Sequence, residues 1–245
     1  MKFVRTLIHS LAVKSRKLLR FAGVPLDLVP NEHDVLVPIC HLRPYNLPDI
    51  KKHLLSLNAQ DRYLRFGYAA NDEHIKSYVR SLNFERDEIY GIFNQDLQIL
   101  AMAHLAINIQ ANGPATQQMA AEFGVSVLAS ARGRGYGYHL FQRALMHARN
   151  ANAATILIHA LSENTPMLKI ARKAGARVER DGSESDAYLS LPMANIDSQV
   201  NEIIEEGIAD VDFHIKARAK QFSQFLQTLQ EVRKGVRESR HKSSV

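Results

Sequence analysis

The stretch from Glu122 to Arg149 constrains the fold more than any other part of the chain. It reads as a strand, a glycine-rich basic turn and an amphipathic helix. Phe123, Val125, Val127 and Ala129 alternate with smaller or polar residues, the period-two pattern of a half-buried strand. Leu140, Phe141, Ala144, Leu145 and Ala148 recur at spacings of three and four, which is one stripe of a helix. Between the two lies Arg132-Gly-Arg-Gly-Tyr-Gly137. Glycines in such a turn let backbone N–H groups come close to a ligand, and a helix N-terminus favours an anion. The three parts together make a phosphate cradle.

Two familiar cradles do not fit. A dinucleotide fingerprint needs a third glycine, and His139 and Leu140 follow Gly137 instead; a P-loop needs Gly-Lys-Ser/Thr, which is absent. What fits is Arg/Gln-x-x-Gly-x-Gly/Ala, here Arg132-x-x-Gly135-x-Gly137. With this loop the chain resembles the GNAT superfamily of N-acyltransferases. The run Ala-Glu-Phe-Gly-Val-Ser-Val, residues 121–127, is similar to the bacterial protein-acetyltransferase (Pat-like) branch. The element order agrees with that resemblance over residues 35–192. A strand spans Val35 to Leu42, and Asn46 or Asp49 caps a helix through Leu54, Leu55 and Leu57. Arg62 to Gly67 follows, then a helix through Ile75, Tyr78, Val79 and Leu82. Two strands form a hairpin around Asn94-Gln-Asp96, and Asn112-Gly-Pro114 turns the chain into the central strand, Met119 to Leu128. After the helix, Thr155 to Ala160 is apolar enough for a buried parallel strand. A short helix has Pro166 in its first turn and ends at Gly175, and a hairpin of Arg177–Glu179 with Ala187–Leu191 closes the domain. The expected fold is α/β: a mixed, mostly antiparallel central sheet with flanking helices, extended by an N-terminal amphipathic helix and a long C-terminal helix.

The resemblance implies roles. Backbone amides of Arg132, Gly133, Arg134, Gly135, Tyr136 and Gly137 are expected to hold the pyrophosphate of acetyl-CoA, with the two arginines adding charge. Val127, Leu128 and Ala129 are expected to pair with its pantetheine arm, an amide such as that of Val127 facing the thioester oxygen. Asn164 occupies the family's pantetheine-binding position. Glu122 sits where the Pat-like branch carries its catalytic glutamate, the base that an amine acceptor, protein lysine or small amine, requires. Arg65, Phe66 and Tyr68 fall in the acceptor wall. Many members place a tyrosine seven residues after the asparagine to protonate the leaving thiolate; here that position is Ala171. A second reading of a different class is a coenzyme A-binding regulatory or scaffold module that assembles through its terminal helices.

Charge is concentrated at one end. The net charge is +6, and Lys2, Arg5, Lys14, Arg16, Lys17 and Arg20 supply all of it within residues 1–24, which hold no acid. The remainder is neutral, so a nucleic-acid-binding surface is not expected. Residues 1–34 read as a basic amphipathic helix and a linker with Pro25 and Pro30; such a helix lies on an anionic membrane, docks on a partner or packs on its own domain. Residues 193–245 carry a narrow apolar seam through Val200, Ile204, Ile208, Val211 and Ile215, suited to a coiled-coil homodimer, to folding back on the domain or to pairing with the N-terminal helix. Cys40 is the single cysteine, read as a small buried residue in a reducing cytoplasm. His104, His139, His147 and His159 share no metal-ligand spacing, so no metal is expected.

Overall fold

The computed structural model describes residues 37–111, 117–192, 199, 202–203, 205–221 and 224. The expectations for residues 1–34, for the turn at Asn112-Gly-Pro114 and for the chain beyond 224 lie outside them. The elements are β1 (Cys40–His41), α1 (Leu47–Leu55), α2 (Ala59–Phe66), α3 (Asp72–Ser81), β2 (Glu88–Phe93), β3 (Ile99–Ala111) and β4 (Gln117–Val127). There follow α4 (Tyr136–Asn150), β5 (Thr155–Leu161), α5 (Thr165–Lys173), β6 (Arg177–Asp181) and β7 (Glu184–Ser190). A last helix, α6, covers 205–221.

The strands form one sheet in the order β1-β2-β3-β4-β5-β7-β6. Every neighbouring pair is antiparallel except β4 and β5. A parallel pair needs a crossover, and α4 provides it. Alternation along the strands divides the core in two. Ala101, Ala103, Leu105, Ala121 and Phe123 face α4 and α5, packing with Leu140, Phe141, Ala144 and Met167. The rings of Phe123 and Phe141 meet edge-on at 4.9 Å. On the opposite face Ile89, Phe93 and Met102 pack against Ile50 and Leu54 of α1 and Ile75 and Val79 of α3. Each fully buried side chain of this size contributes about 1.5–3 kcal/mol.

Three expectations are corrected. The first strand is two residues long rather than reaching back to Val35: residues 37–39 are not strand, and Pro38 has no N–H to give a ladder. Asn46 precedes α1 but does not cap it with its side chain, since its Oδ1 accepts the Arg43 N–H at 3.0 Å. The segment before Gly67, given no element of its own in the sequence, forms a helix over Ala59–Phe66, capped by Asn58 and ended by Gly67 at φ +79°.

Of the fates open to the C-terminal segment, α6 shows folding back on the domain; a pairing with the N-terminal helix lies outside the described residues. Ala209 is buried beside Cys40, and Phe213 meets Phe93 at 5.1 Å. Arg143 of α4, 2% exposed, donates to Glu206 Oε1 (2.7 Å) and to the carbonyl of Glu202 (3.2 Å), and its guanidinium lies over the Tyr90 ring. His147 and Asn150 bind the Glu202 carboxylate at 2.7 and 2.6 Å. Cys40 fits its expected role: burial, with the nearby Asp212 charge, pushes its thiol up to about 12.

Candidate functional site

β4 and β5 pair only at Ala120/Thr155, Ala121/Ile156 and Glu122/Leu157. Beyond Glu122 both strands continue, to Val127 and Leu161, without pairing each other. The sheet therefore opens at its centre, starting at Glu122. The N–H of Leu128 is bound to Leu100 O of β3 at 2.9 Å. Because backbone groups alternate sides along a strand, the N–H and C=O of Phe123, Val125 and Val127 point the other way, toward the opening. This narrows the expected contact at residues 127–129. Val127 faces the opening, Leu128 has given its N–H to β3, and Ala129 begins a 3-10 turn, Ala129–Ala131. The extended edge presented to a ligand is Phe123 to Val127.

The glycine turn closes the far end of that edge. Gly133 and Gly135 both adopt the left-handed conformation, φ +74° and +77°, which costs a residue with a Cβ about 1–2 kcal/mol. Gly135 is the N-cap of α4, so no side chain caps the helix, and its first turn holds no acid. The amides of Tyr136, Gly137 and Tyr138 are left as donors at the positive end of a 15-residue helix. Gly137 has a different function: a Cβ there would sit 3.0 Å from Ile170 Cδ1, so the glycine lets α4 close onto α5. An uncapped helix start, two left-handed glycines and two exposed arginines fit a pyrophosphate, and the adjoining strand edge fits an amide-bearing arm such as pantetheine.

Two of the expected ligands have partners within the protein. Arg132 pairs through Nη2 with Asp61 Oδ1 of α2. Asn164 caps α5 by accepting the Met167 N–H and donates from Nδ2 to Leu64 O, also of α2, at 3.1 Å. Among the described residues Arg134 donates to the Ser130 carbonyl, at 3.3 Å. Helix α2 thus contacts β4 and β5 and is tied to both sides of the opening at its wide end. Ala171, at the place of the family's tyrosine, is fully buried in the core under α5.

Glu122 is exposed on the face of β4 that also carries Gly124 and Ser126. A chain of polar groups runs along this face. Arg86 binds the buried carboxylate of Asp87 at 2.7 and 3.1 Å, and His104 Nε2 donates to it at 3.1 Å. His104 Nδ1 then accepts the Tyr78 hydroxyl at 2.8 Å, and Arg65 Nη2 donates to that hydroxyl at 3.0 Å. This sequence of donors fixes His104 as the neutral Nε2–H tautomer. Burial, aided by the Arg65 charge, lowers its pKa against the pull of Asp87 and Glu122. Burial raises the Tyr78 phenol, Arg65 opposing. Asp87 is lowered, because the bonds from Arg86 and His104 outweigh its desolvation.

Beside this chain, His53 Nδ1 donates to Ile99 O at 3.0 Å, which leaves Nε2 to accept the Ser126 hydroxyl at 2.8 Å. Burial lowers His53 to about 4. The pair has the partners of a nucleophilic Ser-His dyad, but Ser126 is 6% and His53 3% exposed. It joins α1 to β4 out of reach of a substrate. Sequence reasoning passed over Asp61, Tyr78, Asp87, His53 and Ser126. Asn58 and Gly67, bracketing α2, are the signal that brings Asp61 to notice; the others come from elements that only the folded sheet brings together.

Residues 40–177 match the family model described as acetyltransferase (GNAT) domain. A search of curated proteins gave no significant match. Among solved structures, the GNAT domain of S. lividans PAT aligns with a TM-score of 0.53 at 16% identity, covering 62% of this chain and 89% of that one. Spermidine N-acetyltransferase from Vibrio cholerae in complex with CoA and spermine aligns with a TM-score of 0.48 at 16% identity, covering 62% and 94%. An N-acetyltransferase from Staphylococcus aureus Mu50 gives 0.47 at 17% identity, covering 63% and 98%.

Proposed function

Because this chain belongs to the GNAT acetyltransferase family, and is thereby an acyl-coenzyme A-dependent N-acyltransferase, we propose that it moves an acetyl group from acetyl-CoA to a primary amine, a protein lysine or a small amine, with Glu122 as general base. One observation carries this reading. The place where β4 and β5 separate is Glu122, and the same strand runs from there into the glycine turn. Base, strand edge and anion cradle are therefore set in line by one continuous segment.

Acetyl-CoA supplies an acyl group already activated as a thioester. The chain supplies the rest. The amides of residues 133–137 hold the pyrophosphate, and the groups of Phe123, Val125 and Val127 that face the opening orient the arm. The Val127 N–H, expected to meet the acyl oxygen, lies about 16–17 Å along the strand from Glu122, so the donor to that oxygen as charge develops is an opening-facing N–H nearer the base, that of Phe123 or Val125. The acceptor needs help of another kind. A lysine amine has a pKa of about 10.4, so fewer than about one in a thousand is neutral at pH 7. Glu122, exposed at the start of the opening, takes that proton. The single cysteine, buried and protonated, suits a reducing compartment, and we place the protein in the cytoplasm.

The regulatory alternative draws on Arg132 and Asn164, both engaged by α2, and on Ala171, which leaves no tyrosine for the departing thiolate. Thiol release from acetyl-CoA with a panel of amines and lysine peptides separates the two. The transferase reading predicts release with at least one amine and a fall of about a hundredfold or more in kcat for Glu122→Gln. Acetyl-CoA binding with no release on any acceptor favours the regulatory module.

A further inference from the structure

The guanidinium of Arg65 lies against the middle of β4, and its surroundings define what it is for. A Cβ built on Gly124 would lie 2.7 Å from Cζ, Nη1 and Nη2 of Arg65 alike, so the guanidinium rests with one face against that glycine. Gly124 is two residues from Glu122 on the same face of the strand, about 6–7 Å along it. The group is fixed from the other side as well. Its Cζ lies 5.3 Å from the centre of the Phe66 ring and 5.5 Å from that of Tyr78. Nη2 donates to the Tyr78 hydroxyl, which is itself anchored through His104 and Asp87 to Arg86. Five elements or loops hold one side chain in place.

What holds it leaves it unneutralised. Among the described residues no carboxylate lies within salt-bridge distance of Arg65, and the bond to Tyr78 uses one of its five N–H donors. A half-buried guanidinium with open edges is costly to keep unless something binds it. Its planar fork matches a carboxylate better than any other common group. The neighbouring Glu122 does not fill it.

We propose that Arg65 is a specificity-determining residue that receives a carboxylate carried by the acceptor, beside the amine that Glu122 deprotonates. The inference rests on the acceptor side of the opening being the face that bears Glu122. An acidic side chain next to a peptide lysine and the α-carboxylate of free lysine share this chemistry. The chain of bonds behind Arg65 positions it, so Tyr78, His104 and Asp87 act through Arg65.

The test compares ligands that differ only in that charge. Calorimetric titration, with coenzyme A present, uses Nε-acetyllysine peptides flanked by Glu or by Gln, and Nε-acetyllysine against its amide. Wild type is expected to bind the carboxylate member of at least one pair about tenfold more tightly. The pair that shows the preference identifies the source. Arg65→Gln, checked for folding by its melting temperature, abolishes the preference, and Arg65→Lys retains part of it. Equal affinity within both pairs for the wild type, or a preference unchanged in Arg65→Gln, overturns the proposal. Failure of the transferase reading shows separately, as no thiol release with any amine, and leaves the binding comparison valid.

Discussion

The Asp61–Arg132 pair sits where a pyrophosphate would need the arginine. An ion pair of this exposure contributes about 0.2–1 kcal/mol, and a competing anion must break it. Asp61→Asn keeps the size of the side chain and frees Arg132. It is expected to tighten acetyl-CoA binding severalfold, up to about fivefold, in a calorimetric titration; unchanged affinity would show that Arg132 does not meet the anion. Gly124 gives a second test at this scale. Gly124→Ala places a methyl against the Arg65 guanidinium and must displace it. The expected result is a raised KM for the acceptor with little change in acetyl-CoA affinity. The sequence shows both glycine turn and Glu122 plainly, because their roles depend on near neighbours in the chain. It does not show that Arg132 and Asn164 are held by α2, since those partners lie 71 and 100 residues away.

At the scale of elements, what could be read from the chain and what could not follow the same division. The strand–turn–helix from Gln117 to Asn150 declares itself by period and glycine spacing. Helix α2 does not, because Ala59–Phe66 spans little more than two turns and its apolar residues Ala59, Tyr63, Leu64 and Phe66 are set among charged ones, none of them fully buried. The seam read on the C-terminal segment is not the face of α6 that docks: Ala209 and Phe213, which meet the domain, lie outside it, while Val211 and Ile215 of the seam remain exposed. The clasp that fixes α6 is charged. Arg143 is buried under Glu202 and Glu206, with Tyr90 behind it. Removing one member of a buried pair costs about 3–5 kcal/mol, because the other charge stays behind. The partial exposure of Glu206 reduces that figure, and Arg143→Met is expected to cost about 2 kcal/mol. Urea denaturation measures the loss, and limited proteolysis should cut within 205–221 sooner than in wild type.

For the whole molecule the buried histidines set the pH response. His53, and with it His104, has a native pKa below its unfolded value, so the unfolded chain binds protons that the native state refuses. Their stability is complete above about pH 6.5 and is lost as the pH falls from there toward 4. For His53 alone the full loss amounts to about 3 kcal/mol. His147 has the opposite sign. Burial would lower it, but the bond to Glu202 and the charge of Glu88 prevail and raise it, so its contribution is present below about pH 6.5 and fades as the pH rises through its native value. Stability against urea should therefore peak near pH 6.5, and His53→Gln should flatten the acid limb while leaving the alkaline one.

The central claim is that the opened sheet and the glycine turn are one binding site for acetyl-CoA, and calorimetric titration of acetyl-CoA into the wild type and Gly135→Glu tests it most directly. The variant puts a Cβ on a residue at φ +77° and a carboxylate where the anion belongs. The account predicts saturable, one-to-one binding to the wild type and its loss in a variant whose circular dichroism shows a folded protein. Equal binding by both proteins, or none by the wild type, would contradict it.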